Sequence, residues 1–165
     1  MKISIIVAID EKNAIGKNNQ LLCHLPADMK MFRLLTTGHT VVMGRKTFES
    51  LPNGALPNRK NIVISRTLAE KEEENLIICS SLEKAFEICK EEDEVFIIGG
   101  ANIYNETINE ADFLYVTLIK HTFENADTFF PSIDFNKWRE VSRENFAADE
   151  KNVYDYSFCK YARNL

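Results

Sequence analysis

Short apolar runs alternate with helical segments through the first two thirds of this chain, and that alternation limits the folds open to it. Ile3–Ile9 is a nearly unbroken apolar run, as a strand covered on both faces of a sheet requires. Pro26–Thr36 reads as a helix, with proline in its first turn and Gly38 beyond its end. Thr40–Met43 is a second strand, Gly44 breaks it, and Arg45–Leu51 follows as a helix. Asn61–Ser65 and Leu76–Cys79 are further strands, and Leu82–Lys90 is an amphipathic helix. Glu94–Ile98 is a fifth strand, and Ala101–Ile108 a helix. From Phe113 the pattern changes. Strands at Phe113–Lys120, Trp138–Asn145 and Val153–Tyr161 follow one another without helices, which predicts antiparallel pairing at one end. The expected fold class is α/β: a three-layer domain with a mixed, mostly parallel central sheet of about eight strands and helices on both faces. Residues 1–165 are expected to form one domain, since that length suits a single core.

The net charge of -5 and pI near 5.3 argue against a nucleic-acid partner, which usually meets a basic face. Ile3–Ile9 has one lysine before it and runs straight into Asp10-Glu11-Lys12, so it reads as a strand and not as an export signal. No apolar stretch is long enough to span a bilayer. A cytoplasmic monomer with no membrane contact is expected. Cys23, Cys79, Cys89 and Cys159 are scattered and suit reduced thiols. His24, His39 and His121 are dispersed too, so no metal site is expected. Lys71–Glu74 and Glu91–Glu94 read as solvated turns. Glu11–Leu25 reads as a long loop, a length that often serves function.

Three strand ends suit anions. Gly44-Arg45-Lys46-Thr47 opens a helix with free N–H groups and two cations. Gly99-Gly100-Ala101 does the same without a Cβ to obstruct the backbone, and Ser65-Arg66-Thr67 ends a third strand. Ligands of open α/β sheets sit beyond such carboxyl ends. Together the three ends suit a dinucleotide with a pyrophosphate and one further phosphate. Neither the Gly-x-Gly-x-x-Gly fingerprint nor the P-loop spacing is present. Asp28 stands in the first turn of a helix, where an acid commonly serves the helix dipole alone. However, Asp28, Phe32 and Leu35 share one helix face, and a carboxylate in an apolar cleft is a candidate for acid chemistry. Arg59, between Pro57 and a strand, is either a solvated edge residue or a fork for a carboxylate.

These residues jointly resemble dihydrofolate reductase, over essentially the whole chain. The likeness rests on Ile15-Gly16, Leu25-Pro26-Ala27-Asp28, Phe32, the run Val42–Ser50, the run Leu56–Asn61, Ile98-Gly99-Gly100 and Asp127–Pro131. The resemblance implies NADPH as cofactor and 7,8-dihydrofolate as substrate. It implies that Asp28 is catalytic, holds the 2-amino and N3 edge of the pterin, and promotes protonation at N5. Thr117 would support Asp28. Ile6, Val7, Met29, Phe32, Leu51, Leu56, Ile98 and Tyr104 would contact the substrate, and Arg59 its glutamate α-carboxylate. On the cofactor side, Ala8, Ile15, Gly16, Lys17 and Asn19 would lie near the nicotinamide and lid. Gly44, Arg45, Lys46, Thr47, Gly99 and Gly100, with Ala101, Asn102, Ile103 and Tyr104, would hold the pyrophosphate side. Ser65, Arg66 and Ser80 would serve the adenosine side, with Ser65 and Arg66 on its 2′-phosphate. The Gly99–Gly100 peptide would be cis, and Glu11–Leu25 would be a lid that excludes water.

One departure concerns Leu22-Cys23, where most bacterial members carry Pro-Trp. Cys23 is either a small packed residue or a thiol reachable when the lid opens. Two rival readings remain beside the folate enzyme. One is the related pyrimidine reductase of riboflavin synthesis, which lacks the Pro-Ala-Asp helix. The other is a non-catalytic nucleotide-binding domain, for which Asp28 and Arg59 have no evident use.

Overall fold

The computed structural model describes residues 1–165. In chain order it contains β1 (Lys2–Ile9), β2 (Ala14–Lys17), β3 (Gln20–Leu21), α1 (Pro26–Thr36), β4 (Thr40–Gly44), α2 (Arg45–Ser50), β5 (Lys60–Ile64) and β6 (Lys71–Glu72). There follow β7 (Leu76–Cys79), α3 (Leu82–Ile88), β8 (Glu94–Gly99), α4 (Ala101–Thr107), β9 (Phe113–Ile119), β10 (Thr128–Phe129), β11 (Trp138–Phe146) and β12 (Tyr156–Arg163). A sheet of nine strands runs β11-β12-β9-β1-β8-β4-β5-β7-β6. Its central strands, β9 through β7 in that order, pair in parallel. The pairs β9–β12, β12–β11 and β7–β6 are antiparallel. The sequence predicts about eight strands. The extra one is β6, where Lys71 and Glu72 are exposed as expected but pair with Ile78 and Ile77 as an edge strand and not as a turn. Two charged residues cap an otherwise open edge.

Successive residues of the central strands point to opposite faces, so each face builds its own core. One core joins Ile5, Val7, Val42, Ile62 and Ile97 to Ala85 of α3 and to Ile103 and Tyr104 of α4. The other joins Val41, Met43, Val63 and Phe96 to Leu35 of α1 and Phe48 of α2. Both strand faces are therefore apolar, which is why these segments read as continuous runs.

The stretch Glu11–Leu25 is more regular than a plain loop. β2 and β3 form a hairpin with Lys17 opposite Gln20, and β10 pairs along the other side of β2. Asn18 and Asn19 fill the two-residue turn with φ of 52° and 62°. Positive φ at both turn positions matches the twist of a two-residue hairpin, and asparagine tolerates it. The acidic run before β8 turns as expected, but two of its carboxylates are partly buried and bonded. Glu92 accepts a short hydrogen bond from the Thr40 hydroxyl, and Glu94 accepts one from Ser4 at 2.5 Å. These carboxylates tie the loop to the amino ends of β4 and β1. The predicted strand Val153–Tyr161 begins only at Tyr156, because the preceding residues belong to the connection described below.

Candidate active site

The carboxyl ends of β1, β8, β4 and β5 open into one cleft of about 2160 Å³. A site for one drug-sized ligand occupies about 300–1,000 Å³, so this cleft has room for two ligands. Its halves differ in chemistry.

The first half lies between α1 and β9. α1 exposes Asp28, Met29 and Phe32 to the cleft, with Ile6, Val7, Ala8 and Ile98 on the sheet below. Leu51 and Leu56 form the opposite wall. Thr117 of β9 is buried and donates its hydroxyl to Asp28 Oδ1 at 2.5 Å. Burial raises the Asp28 pKa above the ordinary carboxylate range, and the Thr117 hydrogen bond offsets part of that rise. Tyr104 is buried across the cleft, and its hydroxyl donates to the Ile6 carbonyl at 2.8 Å. Burial and the Asp28 charge push its phenol up, so it stays a neutral donor.

At the mouth of this half stands Arg59, only 7% exposed. Its Nε donates to the Pro57 carbonyl at 2.8 Å and its Nη1 to the Thr36 hydroxyl at 3.1 Å. Two partners leave further guanidinium N–H groups to spare, since arginine has five. The group lies 6.0 Å from the Phe32 ring centroid. Desolvation and the nearby Arg33 charge pull its pKa down, so an anion at the fork would relieve both penalties.

The second half is built from two helix starts. α2 begins after Gly44 and α4 after Gly100, and neither has a side-chain cap. Their first amides are therefore free for a ligand. A Cβ on Gly44 would stand 3.3 Å from Ile103 Cγ1, so glycine lets the two starts approach. Gly99 has φ +126°, which side-chain-bearing residues rarely adopt, and the Gly99–Gly100 peptide is cis. Lys46, Thr47, Ala101 and Asn102 line this part. Arg45 lines it too, with its guanidinium bonded to Glu49 at 2.5 Å. Ser65 and Arg66, just past β5, and Ser80, just past β7, reach the same cleft. Ser65 Oγ accepts the Thr67 and Leu68 amides at 3.2 and 2.9 Å, which fixes the turn and leaves Arg66 exposed. From the β2–β3 hairpin, Ile15, Gly16 and Asn19 border the opening.

Lys17 is exposed in the hairpin and stands apart from the lining. Every other candidate residue named from the sequence lies in the cleft. Sequence reasoning missed Tyr115 and Phe158, which extend the apolar half along β9 and β12. Tyr115, two residues before Thr117, shares its face of β9, and Phe158 pairs directly with Thr117, so strand register would have found both. No group of three or more His, Cys, Asp or Glu side chains is placed to hold a metal. No helix is long and apolar enough to cross a membrane.

Cys23 is half-buried beside the first half. Burial, with the Asp28 charge adding to it, pushes its thiol up to about 11. A free thiol titrates near 8.5, so the reactive thiolate is scarcer here by a factor on the order of 10² at neutral pH. Iodoacetamide should therefore label Cys23 about a hundredfold more slowly than a free peptide thiol. Mass-spectrometric labelling rates check this, and a rate matching the free thiol would contradict it.

A desolvated carboxylate and two uncapped helix starts in one cleft suit an α/β enzyme that takes a flat apolar ligand and a phosphate-bearing one. The family model described as dihydrofolate reductase matches residues 2–163. A dihydrofolate reductase of Bacillus subtilis (strain 168) is 45% identical over 161 residues, covering 98% of this chain and 94% of the relative. One from Haemophilus influenzae is 45% identical over 158 residues, covering 96% of each chain. A solved dihydrofolate reductase from Enterococcus faecalis, complexed with NADP(H) and RAB-propyl, superposes with TM-score 0.88 at 38% identity. It covers 99% of this chain and 97% of its own. The chain belongs to the dihydrofolate reductase family.

Proposed function

We propose that this protein transfers a hydride from NADPH to C6 of 7,8-dihydrofolate, with protonation at N5, giving tetrahydrofolate for one-carbon metabolism. The observation that carries the reading is Asp28, desolvated, hydrogen-bonded by Thr117 and lining one cleft with the uncapped starts of α2 and α4. NADPH supplies the hydride. Everything else falls to the chain. Asp28 accepts two parallel hydrogen bonds from the 2-amino and N3 edge of the pterin, an arrangement a carboxylate suits. Burial raises its pKa, which favours its part in delivering a proton toward N5. Phe32, Leu51, Leu56 and Ile98 enclose the ring and the aminobenzoyl group, and Arg59 takes the α-carboxylate. The α2 and α4 amides, with Lys46 and Thr47, carry the pyrophosphate. The hairpin of β2 and β3 borders the opening, where it would flank the nicotinamide and keep water off the hydride path.

The protein is proposed to act as a monomeric single domain in the cytoplasm, on small molecules and not on nucleic acid. The activity test is direct. NADPH oxidation should require added dihydrofolate, and no turnover with both present would refute the reading. Light scattering checks the monomer.

Arg66 accounts for the choice of NADPH over NADH. Losing a charge-assisted contact to the 2′-phosphate costs about 1.5–3 kcal/mol. Arg66→Ala should weaken NADPH binding by about 10- to 150-fold and leave NADH nearly unchanged. Cofactor titrations by fluorescence quenching measure both constants. Equal losses would put the 2′-phosphate elsewhere.

A further inference from the structure

The start of α1 is completed from a distant part of the chain. Pro26 holds its first turn and has no N–H to offer, and Leu25 before it supplies no side-chain cap. The first amide needing a partner is that of Ala27, next to Asp28. It donates to Asn152 Oδ1 at 3.0 Å, across 125 residues of sequence. Asn152 lies in the connection between β11 and β12 and is only 6% exposed.

Chemistry fixes which way the Asn152 amide points. Its Nδ2 donates to Asp149 Oδ1 at 3.2 Å, and its backbone N–H donates to the same oxygen at 2.7 Å. The Lys151 amide adds a third bond to that oxygen at 2.9 Å. A carboxylate only accepts, so the amide nitrogen must face Asp149 and the carbonyl oxygen must face α1. The backbone donors from Asn152 and Lys151 hold the Asp149 carboxyl below the usual range, so it remains an acceptor. The connection then enters β12, where Phe158 pairs with Thr117, the residue that donates to Asp28. Asp28 is thus fixed twice, through its carboxylate by Thr117 and through its helix turn by Asn152.

We propose that Asn152, oriented by Asp149, is a positioning residue for Asp28: it sets the first turn of α1 and so places the carboxylate against dihydrofolate. The inference rests on the role given to Asp28 above. Asn152 touches neither ligand in this reading. Its effect is confined to the geometry of the acid, where misplacement by about 1 Å can cost up to 10² in rate.

The test compares the wild type, Asn152→Ala and the exchanged double variant Asp149→Asn with Asn152→Asp. In the exchange, the carboxylate at 152 still accepts from Ala27, while the amide at 149 keeps its oxygen on the 151 and 152 backbone N–H groups and turns its Nδ2, in the place of Oδ2, toward the new carboxylate, across a pair 3.4 Å apart in the wild type. Three quantities are read: single-turnover hydride transfer, KM for dihydrofolate and Kd for NADPH. Asn152→Ala should slow hydride transfer about tenfold and raise the dihydrofolate KM, with NADPH Kd unchanged. The exchange should return transfer to within about threefold of wild type. The inference is overturned if folded Asn152→Ala transfers hydride at the wild-type rate. It is also overturned if NADPH affinity falls in parallel, or if the exchange stays as slow as the alanine variant. Should circular dichroism show Asn152→Ala unfolded, the exchange alone decides by the same threefold criterion. A wild type that fails to turn over dihydrofolate sinks the role of Asp28 itself, a separate outcome.

Discussion

Asp28→Asn should lower hydride transfer at neutral pH by about 10²–10⁴ while leaving the fold intact. Asparagine keeps the shape and can still accept from Thr117, but it offers one acceptor fewer to the pterin edge and no proton. The fall should appear in kcat and more strongly in kcat/KM, because the lost pterin contact also weakens ground-state binding. Single-turnover kinetics measure it, and a rate within a few-fold of wild type would remove Asp28 from the mechanism. Stability should move the other way. Burial raises the Asp28 pKa in the folded protein, so folding takes up a proton between the ordinary carboxylate value, about 3.9, and the folded value. The contribution of Asp28 to stability is full below that window and is lost as pH rises through it. Asparagine has no such titration. The Tm of Asp28→Asn relative to wild type should therefore climb from acid to neutral pH. A difference that does not change with pH would show that burial does not govern this carboxyl.

The core strands and the phosphate-facing turns were legible because each rests on local sequence. Val95–Ile98 is apolar on both faces because both faces are covered, and glycine at 44, 99 and 100 marks the close approach of backbone to backbone. Asp28 was legible because Phe32 and Leu35 share its face. What escaped reading depends on partners far away in the chain. The strand character of Lys71 and Glu72 comes from β7 and not from their own propensity. Glu92 and Glu94 look solvated in a charge run until β4 and β1 bring Thr40 and Ser4 against them. Asn18-Asn19 is a two-residue turn signal, but polar residues on both sides hid the strands it joins. Asn152 carries no local sign at all, since its use is at the end of a helix 125 residues away.

Arg59→Ala should raise the dihydrofolate KM by about 10²-fold or more and change kcat little. The fork is buried, already oriented by the Pro57 carbonyl and the Thr36 hydroxyl, and backed by the Phe32 ring. An oriented guanidinium loses little entropy when a carboxylate arrives, and each charge-assisted bond is worth about 1.5–3 kcal/mol. Two parallel bonds account for the predicted loss. Because the carboxylate is remote from C6 and N5, the contact holds ground state and transition state alike, and the loss should fall on KM. Arg59→Lys keeps the charge but not the fork, so it should recover only part of the affinity. A dihydropterin without the glutamate tail provides the internal control. Wild type and Arg59→Ala should reduce it with the same kcat/KM, because neither can use the fork on it. If the alanine variant loses the tail-less substrate as severely as dihydrofolate, Arg59 supports the cleft and does not read the carboxylate.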